Sequence, residues 1–167
     1  MKKESSPAMA SRLELWPLDR LLPYARNART HSAEQIQQIA ASIEEFGFTN
    51  PILVDGKDGV IAGHGRLEAA RDLGLSEVPV VVLDHLTPAQ KRAYILADNQ
   101  LALTSGWNTS VLQEELAALS LADFDLSLIG FDEKELASLM DPEHIEEPET
   151  SGGGGDEEAE ACPTCGR

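Results

Sequence analysis

Residues 50–84 read NPILVDGKDGVIAGHGRLEAARDLGLSEVPVVVLD. The apolar residues 51–54 make a short strand. DGKDG, residues 55–59, carries the Gly/Asp chemistry of a tight turn with positive φ. Residues 60–62 are the returning strand. Gly63, His64, Gly65 and Arg66 then form a glycine-flanked turn. A helix is expected over 67–73, closed by Gly74. The β-branched run 78–83 predicts a fully buried strand.

The flanks extend this pattern. Apolar residues in 13–22 are spaced for a short strand and turn, punctuated by Pro17 and Pro23. Residues 32–47 are the clearest helix. Ser32 and Gln35 make a capping box, Ile36, Ile39, Ala40 and Ile43 share one face, and Gly47 sits at the C-terminal cap. A third helix opens at Thr87, with Pro88 first and Gln90 as box partner, and runs to about 103. Two shorter helices are expected over 110–119 and 132–140, the second capped by Asp132 with Glu135. Phe131 and Leu136 are placed for a hydrophobic staple. Trp107, Leu112, Leu116 and Phe124 are candidates to cover an exposed face.

The implied organisation is a disordered leader (1–11), a domain (12–103), a helical extension (104–140) and an acidic Gly-rich tail (141–167). The fold class is α+β: a mixed sheet with packed helices, plus the extension and a disordered acidic tail. Residues 141–160 hold nine acidic residues, no basic ones and a GGGG run. Such a segment buries too little apolar surface to order itself.

The 167 residues carry a net charge of −16, unevenly spread. Residues 1–92 hold 11 basic against 12 acidic residues, and 93–167 hold 2 against 17. The acidic half would repel phosphate backbones, which excludes a broad non-specific grip on DNA. No run approaches the roughly 18 apolar residues of a membrane span. The start of the chain lacks the apolar core of a secretory signal. Two cysteines cannot build a disulfide scaffold, so a reducing cytoplasm is the default.

The chemistry concentrates at residues 63–66. Amides at a helix N-terminus attract anions, glycines let a phosphate come close, and Arg66 supplies a positive fork. The competing reading is a tight turn with Arg66 packed over the helix or paired with a carboxylate. His64 is either a base or ligand titrating near neutrality, or a cap on the turn. Arg26, Arg29 and His31 are candidates for the opposite wall of a phosphate pocket. No Gly-Lys-Ser/Thr follows, so this is not a P-loop.

Three stretches, NARTHSAEQIQQIAASIEEFGFTNPILV (27–54), DGVIAGHGRLEAARDLGLSEVPVVVLD (58–84) and LADNQLA (96–102), occur in an order that resembles the ParB/sulfiredoxin-like N-terminal domain family. The similarity spans about 13–103. Residues 93–108 are most like the ParB-like domains that accompany phage and prophage DNA methyltransferases. The resemblance implies a nucleoside triphosphate, CTP or ATP, bound with magnesium. Gly63 and Arg66 match the family's nucleotide box, while His64 and Gly65 depart from it. Asp98 and Asn99 fall at the box that holds metal and phosphates, with Asp98 the magnesium ligand. Thr49 lies where such domains meet the base. Sulfiredoxin chemistry is not implied, because no cysteine lies near the turn.

The function so implied is a nucleotide-binding module acting in DNA metabolism, as an accessory protein of a phage or mobile element. Two alternatives stand beside it. One is a ParB-like nuclease or phosphotransferase with His64 or Glu68 as base. The other is a non-enzymatic interaction protein working through its acidic tail. The expected partners are a nucleotide, DNA or a DNA-modifying protein, and a second copy of the chain, but no membrane. Lys134 is the only basic residue in 110–140, so a DNA-reading helix-turn-helix is not expected there, and contact with DNA would be indirect. Cys162 and Cys165 form half of a zinc knuckle. A second chain would complete it; otherwise it is a remnant or inert.

Overall fold

The computed structural model describes residues 12–141. The leader, nearly all of the acidic tail, and with it Cys162 and Cys165, lie outside the described residues.

The β-branched run becomes a strand at Glu77–Val82, which is β4. β4 pairs antiparallel with β1 (Leu13–Pro17) and parallel with β2 (Ile52–Val54). β2 turns back antiparallel onto β3 (Val60–Ala62), giving the order β1-β4-β2-β3. A parallel pair needs a crossover. Here β3 and the helix α2 (His64–Asp72) supply it. Burial on both faces of β4 is not what the structure shows. Val78 and Val80 are fully buried, whereas Pro79, Val81 and Val82 are half-buried. One sheet face carries the core and the other is only partly covered, so β4 alternates. Pro79, which has no N–H to donate, sits one residue before β2 begins its pairing at Val80.

The 55–59 turn is tight for a different reason than expected. Its positive φ falls on Asp58, at 71°, not on a glycine. Gly59 is needed for space: a Cβ there would lie 2.8 Å from the Asp55 carboxylate. That carboxylate accepts from the Lys57 and Gly59 amides at 2.9 and 2.8 Å and pairs with Lys91.

Helix α1 is Ala33–Phe46. The Gln35 amide donates to Ser32 at 3.2 Å, but the capping box is half-made. Gln35 Oε1 instead accepts from His31 Nδ1 at 2.9 Å. Helix α3 is Pro88–Leu103, and its Thr87/Gln90 box is complete. Beyond it come α4 (Thr109–Leu121), a 3-10 turn at Leu126–Ile129 and α5 (Glu133–Met140), whose Asp132/Glu135 box is also complete. Leu116 is buried, and Phe124 stacks on Phe46 of α1 at 6.0 Å. Those two cover an apolar face as expected. Trp107 does not: it touches Phe131 but stays 72% exposed.

The core sits between the sheet and α2, around Ile52, Val54, Val60, Leu67 and Val80. Among the described residues no helix is long and apolar enough to cross a membrane. Leu67 is 1% exposed, so Leu67→Ala should lower the unfolding free energy by about 2–5 kcal/mol. Leu121, 89% exposed, should tolerate alanine within about 0.5 kcal/mol. Urea unfolding of the two variants checks both values.

Candidate functional site

Residues 63–66 are not a turn ahead of a helix. The helix starts at His64, and Gly63 alone is its cap, left-handed at φ 95°. His64, Gly65 and Arg66 therefore form the first turn of α2. No side chain caps this end, so its first amides remain for solvent or a ligand.

Gly65 is explained by packing. A Cβ at this position would lie 2.9 Å from Ile39 Cδ1 and 3.2 Å from the His31 ring. The missing side chain lets α1 and α2 approach closely. Gly63 is explained twice, by its φ and by the Arg66 guanidinium, whose Nη2 would lie 3.0 Å from a Cβ placed there.

Arg66 folds back over this cap. Its Nη2 donates to the Pro51 carbonyl at 3.4 Å. Its Nε is buried and meets no acceptor. An unpaired buried donor costs about 1–3 kcal/mol, more when charged, so such a group calls for a partner. Burial pushes the guanidinium pKa down, and the charge of Asp98 works against that shift.

A cleft of about 520 Å³ opens around this helix end. Gly63, His64, Gly65, Arg66, Arg29, His31, Thr49, Asp98 and Asn99 all line it. Residues far apart in the chain thus converge on one cleft. Arg29 is held by an Asn27 side chain that accepts from its amide at 3.3 Å and donates to its carbonyl at 3.0 Å. Its Nη1 donates to Asn99 Oδ1 at 3.2 Å, and Asn99 Nδ2 donates to the Ile95 carbonyl at 2.7 Å. The Asn99 amide thus links Arg29 to α3, and Asn99 itself lines the cleft.

Two candidate bases sit differently. Glu68 is exposed on α2 and is not among the residues that line the cleft. His64 is buried and lines it, but its Nε2 accepts from the Tyr24 amide at 3.2 Å. The remaining nitrogen, Nδ1, carries the proton. Burial lowers the His64 pKa, His31 lowers it further, and Glu68 opposes. His64 is thus a neutral strut that ties the 21–24 segment to α2.

Magnesium fits this donor set only as an ion carried by phosphates. Asp98 offers one exposed carboxylate, with the Tyr94 hydroxyl 3.5 Å away. Asn99 Oδ1 accepts from Arg29 and is a neutral oxygen. Among the described residues no three His, Cys, Asp or Glu side chains converge on one point. Magnesium held mainly by phosphates and water needs only one or two carboxylates.

The sequence reading missed part of the lining. Gln35, Gln38 and Ser42 come from α1, and Leu128, Ile129 and Gly130 from the 3-10 turn. The α1 set was signalled by its spacing of three and four residues, beside the apolar stripe. Arg26 is exposed and is not among the lining residues.

Residues 3–100 match the family model of the ParB N-terminal domain. The chain belongs to the ParB N-terminal domain family. Residues 110–165 match the ParB-methyltransferase HTH domain. The extension is therefore similar to a helix-turn-helix domain, which a reading based on its charge did not anticipate. The ParB-like nuclease domain-containing protein YnaK of Escherichia coli is 57% identical over 76 residues, 46% of this chain and 87% of that protein. A probable chromosome 2-partitioning protein ParB of Deinococcus radiodurans is 40% identical over 74 residues, 42% of this chain and 25% of its own length. This chain thus spans only a quarter of that partitioning relative. The crystal structure of a C-terminally truncated chromosome-partitioning protein ParB from Caulobacter crescentus, complexed with CTP-γ-S, superposes with a TM-score of 0.64. It is 22% identical, over 78% of this chain and 77% of that one, and it shows the shared fold.

His64 yields a pH dependence. Its folded pKa lies below the ordinary value of about 6.5. Below that pH the unfolded chain takes up the proton first, so stability falls as pH drops from about 6.5 towards the folded value. His64→Gln keeps an acceptor for the Tyr24 amide and removes the titration. Urea unfolding at pH 7.5, 6.5 and 5.5 should show a steeper loss of stability for the parent chain than for His64→Gln.

Proposed function

We propose that the chain binds a nucleoside triphosphate of the CTP or ATP class in the cleft at the start of α2. The observation that carries this reading is the buried Arg66 Nε with no acceptor, at an uncapped helix N-terminus. A helix N-terminus with an adjacent guanidinium is a site for phosphate oxygens. Arg29, aimed by Asn27 and Asn99, supplies a second cation. Asp98 is placed to complete a magnesium ion carried by the phosphates. Thr49 and Asn50 offer polar atoms elsewhere in the same lining. The shared fold with a ParB that was crystallised with CTP-γ-S supports the reading.

The geometry favours binding over turnover. His64 has its acceptor nitrogen occupied, and Glu68 stands outside the lining. We place the module in DNA metabolism, as a DNA-binding or DNA-modification accessory of a phage or mobile element. The similarity of 110–165 to a methyltransferase-linked helix-turn-helix supports this. The extension has Lys134 as its only basic residue, set among acidic neighbours. It lacks the cations that phosphate contacts use. The route to DNA is therefore through a DNA-modifying protein partner.

Isothermal titration of the full chain with CTP, ATP and GTP, each with magnesium, tests the reading. One nucleotide should bind with micromolar affinity. Arg66→Ala should weaken it by about 10- to 100-fold, the worth of one charged hydrogen bond. Binding of none of the three, or equal binding by Arg66→Ala, would overturn it.

A further inference from the structure

The phosphate-binding atoms account for one part of the cleft. Another wall comes from more than sixty residues away in sequence. Leu128, Ile129 and Gly130 belong to the 3-10 turn beyond α4, yet they line the same space as Arg66. This turn is built to stay in place. Asp125 accepts from the Ser127 amide at 2.9 Å and from its hydroxyl at 2.7 Å. Gly130 ends the turn in a left-handed conformation, φ 90°. Phe124, just before it, stacks on Phe46 with the rings 24° apart.

Helix α1 carries both walls. Its first half meets α2 through Ile39 and Gly65, with His31 just ahead of it, and its end meets Phe124 through Phe46. Gln35 and Ile43 lie eight residues apart on its cleft side, about 12 Å along the axis. Leu128 and Ile129 are half-buried and are not part of the buried core. Two aliphatic side chains thus remain partly uncovered in a cleft that Ile43 and Phe48 also line, together with polar groups from α1 and the α2 end. Ligand sites combine apolar surfaces for ring faces with a few polar groups for ring edges. Gln38, Ser42, Thr49 and Asn50 provide such polar groups here.

We infer that Leu128 and Ile129 form a nucleobase subsite: an apolar wall, contributed by the C-terminal segment, against which the ring of the bound nucleotide packs. This rests on the cleft being a nucleoside triphosphate site. The ligand then bridges the N-terminal domain and the segment after α4. By reciprocity of coupling, binding holds that segment on α1 to the extent that the segment strengthens binding.

The test compares two ligands on the full chain: the tightest of CTP, ATP and GTP, and inorganic tripolyphosphate, which has no ring. The variants are Leu128→Ala, Ile129→Ala, the milder Ile129→Val, Arg66→Ala, and the exposed Leu121→Ala as control. The Leu128 and Ile129 alanine variants should each weaken the nucleotide by about 10-fold, with Ile129→Val in between. Tripolyphosphate affinity should stay within about twofold. Arg66→Ala should weaken both ligands. Equal losses for the two ligands at Leu128 and Ile129 would mean that these residues only brace the fold, and would overturn the inference. Nucleotide binding that needs Arg66 but neither Leu128 nor Ile129 overturns this inference alone. A parent chain that takes no nucleotide overturns the reading beneath it as well.

Discussion

The cleft depends on one close approach. Gly65, in the first turn of α2, faces Ile39 and His31 at distances a Cβ could not share. Glycine inside a helix costs about 1 kcal/mol relative to alanine. That cost is offset by what the contact allows. With α1 laid against α2, the end of α2 opens beneath a wall made by Gln35, Gln38 and Ser42. Arg66 is then folded over Gly63 with its Nε buried. A larger residue at 65 would push α1 away and widen the space between the helix end and Arg29.

The scaffold around this contact is written in local signals. Thr87 with Gln90 and Asp132 with Glu135 close full capping boxes, and each marks its helix start to the residue. The order of strands and helices also follows from the periodicity. Where the sequence misleads, competing chemistry explains it. Gly-His-Gly-Arg has poor helix propensity and reads as a turn. Only Gly63 takes the positive φ, and packing against α1 draws the next three residues into the helix. Gln35 forms half a capping box because His31 takes its side-chain oxygen. That exchange links the start of α1 to a residue lining the cleft.

The site was legible where charge and glycine mark it, and hidden where it is apolar or distant. Arg66 and Arg29 stand out by residue type, and Asn99 only through the resemblance to the ParB-like family. Leu128 and Ile129 do not, because a single 3-10 turn has no periodic pattern to read. Asp125 as a cap and Gly130 as a stop were its only traces. Polar side chains at Gln35, Gln38 and Ser42 look like a solvated helix face unless a second wall is known to stand opposite. His64 was conspicuous for its chemistry, and its place in the structure is explained by a hydrogen bond to Tyr24.

The uneven charge of the chain takes on meaning from this geometry. Two basic groups of the nearly neutral first half, Arg29 and Arg66, converge on the cleft. The acidic second half lines the cleft with a single carboxylate, Asp98, and its Leu128 and Ile129 add a wall that bears no charge. Acidic side chains at 128 and 129 would repel a phosphate brought near Arg66. Apolar ones can touch a ring without disturbing the field at the helix end. A segment unsuited by charge to grip a phosphate backbone is therefore well suited to complete the proposed nucleotide pocket. In this chain the stretch similar to a helix-turn-helix domain, residues 110–165, holds a single basic residue, Lys134.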